Sequence, residues 1–74
     1  MDKGQIQEIL IETISMCADD TGWANLAKIG AILRKKGLKY GRLSRMLKEY
    51  GQIIELRVDE SIQPPVAYAR IIQT

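Results

Sequence analysis

The 74 residues are enough for one domain and leave no room for a second. With 46% hydrophobic residues the chain can fill one core, and 27% charged residues fit a folded chain rather than a disordered one. The net charge of +2 hides an asymmetry: residues 1–20 carry five acids and one lysine, residues 21–48 eight cations and no acid, and residues 49–74 four acids and two arginines. No apolar run approaches the roughly 18 residues of a membrane span, and the start MDKGQIQEIL has neither the basic nor the apolar part of a secretory signal.

Residues 3–18 read as a helix. Ile6, Ile9, Leu10, Thr13, Ile14 and Cys17 recur at three- and four-residue steps and share a face, with Glu8 and Glu12 on the other side. Asp19, Asp20, Thr21 and Gly22 then supply turn chemistry.

A second helix is expected over 25–36, with Asn25 as its N-cap and Leu26, Ile29, Gly30 and Leu33 as its apolar stripe. Gly30 costs about 1 kcal/mol against alanine in a helix interior, and close approach of a neighbouring helix is expected to compensate it. Gly37 suits the left-handed position that ends a helix. A third helix is expected over 41–50, where Leu43, Met46, Leu47 and Tyr50 form the buried side and Arg42, Arg45 and Lys48 the exposed one.

After Gly51 the period changes from helical to alternating. Residues 54–58 read as a strand, residues 59–65 as a loop and residues 66–72 as a second strand, paired as an antiparallel hairpin. Tyr68 and Arg70 share one strand face, as ligand surface or as edge packing. Trp23 and Tyr50 are expected in the core. The fold class is therefore α+β, a small winged helix-turn-helix of three helices followed by a two-stranded hairpin, with Gly37–Tyr40 as the helix-turn-helix join.

The pattern Trp23-x-x-Leu26-x-x-Ile29-Gly30-x-x-Leu33, followed by Tyr40-Gly41-x-Leu43-x-x-Met46-Leu47 and by Tyr68-Ala69-Arg70, resembles the OST-HTH, or LOTUS, domain over about residues 5–72. The resemblance implies a winged-helix module without catalytic activity. It also implies binding of RNA, with a preference for G-rich and quadruplex RNA, and association with a PIN-like or NYN nuclease domain. The whole of 1–74 is expected to be one such domain, cut from a longer protein.

The tract RKKGLKYGRLSR concentrates this expectation. Eight cations lie between Lys28 and Lys48 without an intervening acid. Ordinary surfaces mix signs, so this crowding favours a polyanion partner. The candidate nucleic-acid residues are Arg34, Lys35, Lys36, Lys39, Tyr40, Gly41, Arg42, Arg45 and Lys48. Tyr40 either stacks on an unpaired base or packs at the core edge. Gly41 either lets phosphate approach the backbone or serves turn geometry alone.

Duplex DNA is the weaker ligand, because the loop of residues 59–65 carries two acids and no cation. The competing class is a protein-interaction module that uses Lys28 and Ile32 on the second helix. Catalysis is not expected. The chain has no histidine, Cys17 has no base to activate it, and Asp19 with Asp20 makes a poor metal site. No cofactor or metal is expected. The single cysteine forms no internal disulfide, which favours a cytoplasmic setting.

Overall fold

Capping chemistry sets the helix boundaries. The computed structural model describes residues 2–72. The Asp2 carboxylate accepts from the Gln5 amide at 2.8 Å, and the Gln5 side chain accepts from the Asp2 amide at 3.1 Å. This reciprocal pair satisfies two otherwise free donors, and helix α1 runs Lys3–Cys17.

Helix α2 spans Leu26–Lys35, one residue shorter at each end than expected. Asn25 caps it, its side chain accepting from the Ala27 amide at 2.7 Å. Its end is closed by Gly37, which sits at φ +80°. The Gly37 amide donates to Arg34 O and the Leu38 amide to Leu33 O, both at 3.0 Å. This pairing absorbs two terminal carbonyls and turns Leu38 into the core.

Helix α3 covers only Leu43–Lys48, against the expected 41–50. Arg42 is its N-cap and makes no side-chain cap hydrogen bond. At the other end the amides of Glu49, Tyr50 and Gly51 each reach back three residues rather than four, which winds residues 49–51 into turns. The connection between α2 and α3 is thus residues 36–42, longer than the join expected at Gly37–Tyr40.

The sheet has three strands where the alternation predicts two. Strand β1 is Ala24–Asn25, β2 is Ile54–Asp59 and β3 is Val66–Ile71, in the antiparallel order β1-β3-β2. The hairpin register pairs Ile54 with Ile71, Leu56 with Ala69 and Arg57 with Tyr68. Ala24 pairs with Ala69, and both are fully buried. Two residues are too few to show a period, which is why β1 is invisible in the sequence.

The inner sheet face meets the helices through one cluster. Leu10, Ile14, Ile29, Leu33, Leu38, Leu47, Tyr50 and Ile54 are buried together with the two alanines. Thr13 is buried with them, and its Oγ1 has no hydrogen-bond partner among the described residues.

Trp23, expected in the core, is half-buried on the outer face of the sheet. Ala24 points inward, so the residue before it on an extended chain falls on the opposite side. There the Arg57 and Arg70 guanidinium groups lie 4.8 and 4.6 Å from the Trp23 ring centre. Arg57 also sits 5.1 Å from the Tyr68 ring, and Arg70 Nη2 donates to both Glu55 carboxylate oxygens at 3.1 and 2.9 Å. Tyr68 and Arg70 are therefore joined in a stacked layer with Trp23 and Arg57.

Candidate nucleic-acid interface

The α2–α3 connection is folded over the outside of α2 by a single close approach. Gly30 lies in the middle of α2, and a Cβ there would meet Tyr40 Oη at 3.0 Å and Leu43 Cδ2 at 3.5 Å. The Tyr40 hydroxyl donates to Gly30 O at 3.3 Å. The missing side chain at Gly30 thus lets Tyr40 lie against the helix, so the nearest approach comes from a side chain of the connection, with Leu43 of the neighbouring helix behind it, rather than from that helix alone.

Tyr40 is half-buried and separates two surface depressions, of about 400 and 410 Å³. Arg34, Leu26, Gly30 and Leu43 line the first, and Lys39, Arg42, Arg45, Ile6 and Met46 the second. Tyr40 and Gly41 belong to both. The fold therefore gathers six of the nine candidate residues around one ridge.

The other three lie elsewhere. Lys36 is the C-cap of α2, and its Nζ is 3.6 Å from Glu12 Oε1 on α1. It is turned from a free cation into half of a surface ion pair, which is worth little in stability. Lys35 and Lys48 are exposed at the ends of α2 and α3 and line neither depression. Lys28 is exposed on α2 and Ile32 half-buried, one turn before Lys36.

Charge around the ridge is poorly compensated. Among the described residues the ion pairs are Lys36 with Glu12 and Arg70 with Glu55. Arg34, Lys35, Lys39, Arg42, Arg45 and Lys48 have no carboxylate partner among them. Glu49 is the one acid on the lining of either depression, and together with burial it pushes the Tyr50 hydroxyl up, burial being the larger cause.

Gly41 is exposed and does not occupy the left-handed region. A Cβ on it would meet nothing within 4 Å. Neither turn geometry nor a neighbour inside the domain requires a glycine here, in contrast to Gly30 and Gly37.

Asp19 and Asp59 each hold a turn. The Asp19 carboxylate accepts from the Thr21 hydroxyl and from its amide at 2.8 Å, which holds it below the usual carboxylate range. Asp59 accepts from the Ser61 hydroxyl at 2.6 Å and from its amide at 3.0 Å, with the same effect. Among the described residues no group of three or more His, Cys, Asp or Glu side chains comes together. No described helix is long and apolar enough to cross a membrane.

Three helices, the second and third joined over Tyr40, and a hairpin returning along the sheet define a winged helix-turn-helix domain. A family model described as the OST-HTH/LOTUS domain matches residues 1–66, and the chain belongs to that family. The family consists of non-catalytic modules that bind nucleic acids or proteins. Searches of curated proteins and of solved structures returned no significant match.

Proposed function

We propose that the domain is an RNA-binding module, directed at G-rich or quadruplex RNA, that serves a nuclease or other RNA-processing protein in the cytoplasm. The observation that carries this reading is the ridge itself: Arg34, Lys39, Arg42 and Arg45 surround Tyr40 and Gly41, and none of these cations has an ion-pair partner among the described residues. Lys35 and Lys48 add charge at its margins. A row of cations with free donors fits a phosphate backbone, and arginine edges also read guanine.

Duplex DNA is disfavoured by the tip of the hairpin, where Asp59 and Glu60 would face phosphate in the usual winged-helix docking. The test is a double substitution, Arg42→Glu with Arg45→Glu. It is expected to abolish RNA binding in a gel-shift assay while the circular dichroism spectrum and thermal midpoint stay unchanged. Retained binding would refute the assignment. In a protein-interaction module, Ile32→Asp would instead destroy partner capture and the double arginine change would not.

A further inference from the structure

The two depressions differ from the surface between them. Half-buried apolar side chains line both: Leu26 and Leu43 in the first, Ile6 and Met46 in the second. Exposed cations stand beside them, Arg34 at the first and Lys39, Arg42 and Arg45 at the second. Between them the chain presents the Tyr40 ring and then bare backbone at Gly41.

That bare backbone has no internal cause. Gly37 is needed for its positive φ, and Gly30 for the approach of Tyr40. Gly41 has neither requirement, and the space above it is open. A glycine that the domain does not use leaves the main chain open to close approach by a group from outside. The charge of the surroundings makes that group an anion.

On the reading that the partner is RNA, we infer that the Tyr40–Gly41 ridge seats one dinucleotide step of a single strand. Its two adjacent bases part and enter the two depressions, and the phosphate between them crosses Gly41. Stacked neighbours cannot enter two depressions divided by a ridge, so the step must be unstacked. Single-stranded loops and ends offer such steps, whereas a duplex offers none. Each base would rest on apolar side chains, with the Tyr40 ring beside it, and the flanking cations would hold the strand on either side. The part of a G-rich or quadruplex RNA seated on the ridge is thus a linear or looped segment rather than a stacked tetrad.

The experiment compares three RNAs by fluorescence anisotropy on the whole domain. The first is a short G-rich strand kept linear in lithium, the second the same strand with two adjacent abasic positions at each register tested, and the third its duplex with the complementary strand. The abasic strand and the duplex are each expected to bind at least about tenfold more weakly than the linear strand.

Two variants complete the design. Gly41→Ala adds a methyl group where the domain has space, and is expected to weaken the linear strand about fivefold or more with no change in melting temperature. Ala31→Met narrows the first depression from the exposed side of α2. It should weaken the linear strand while leaving the abasic strand unaffected.

Equal binding of the abasic and linear strands, or of the duplex and the linear strand, would overturn the dinucleotide seat and leave RNA binding intact. An unchanged affinity in Gly41→Ala would overturn it as well. Failure of all three RNAs to bind would overturn this inference, and failure of the same strand folded as a quadruplex in potassium would reject the RNA reading as well.

Discussion

Gly30→Ala sets two effects of similar size against each other, and their balance depends on one hydroxyl. Alanine gains about 1 kcal/mol over glycine in a helix interior. The new Cβ would stand 3.0 Å from Tyr40 Oη, tighter than ordinary contact, and 3.5 Å from Leu43 Cδ2, which is ordinary contact. Tyr40 must therefore give by a few tenths of an ångström. That lengthens the 3.3 Å bond from its hydroxyl to Gly30 O, a loss of about 0.5–1 kcal/mol, and adds about 1 kcal/mol of packing strain.

The substitution alone should thus cost about 0.5–1 kcal/mol, the helix gain being outweighed. With Tyr40→Phe already in place, the atom that Cβ meets is gone and the hydrogen bond is already lost. Gly30→Ala should then stabilise by about 0.5–1 kcal/mol. Urea denaturation of the four proteins gives the coupling directly, expected at about 1–2 kcal/mol. Equal effects in the two backgrounds, within about 0.3 kcal/mol, would show that Gly30 does not exist to accommodate the Tyr40 hydroxyl.

Three further outcomes follow from the fold. Thr13→Val replaces a buried hydroxyl that has no partner with a methyl of the same shape, and should raise the urea stability by about 1 kcal/mol; a loss of that size would mean the hydroxyl is bonded after all. Arg57→Ala uncovers Trp23 and Tyr68; tryptophan emission should shift to the red and stability fall by about 1 kcal/mol, and an unaltered spectrum would contradict the stacking. Asp59 is held below the ordinary 3.8 chiefly by the Ser61 hydroxyl and then by the Ser61 amide. Its contribution to stability is therefore full above that ordinary value and disappears as pH falls through its lower folded value. Ser61→Ala should move the Asp59 midpoint upward in a carboxyl-carbon NMR titration, and a midpoint that stays in place would remove the hydroxyl as the cause.

What the sequence made legible was whatever has a period or a cap. The helical stripes, the Asn25 cap, the Gly37 ending and the alternation of Ile54 to Val58 all carry local signals, and each element formed within a few residues of its expected place. The third helix was overextended because its apolar stripe continues through Tyr50, while the backbone after Lys48 tightens into turns that bury the same tyrosine. Trp23 was misplaced for a related reason. Its neighbours mark it as the start of a buried stripe, but a two-residue strand intervenes and turns it to the outer face. No local pattern announces so short a strand, although the alternation that placed Tyr68 and Arg70 on one face already held half of the stacked layer.

Within the interface, sequence spacing identified the cations but not their grouping. Arg42 and Arg45 lie on α3 or at its start, and Arg34 comes to the same ridge from α2 because Gly30 lets Tyr40 fold across it. Lys36 carries the same charge in the same tract, yet its position beside α1 gives it to Glu12. Charge density is readable along a chain, whereas neutralisation across helices depends on the packing that brings Glu12 opposite.

The electrostatic claim is tested most directly by the salt dependence of binding to a linear G-rich RNA. Arg34, Lys39, Arg42 and Arg45 around Tyr40, with Lys35 at the margin, meeting five phosphates would give a log–log slope of about −3.5, so affinity should fall roughly a hundredfold between about 50 and 200 mM salt. An affinity that stays level across that range would mean that the cations around Tyr40 do not meet a phosphate backbone.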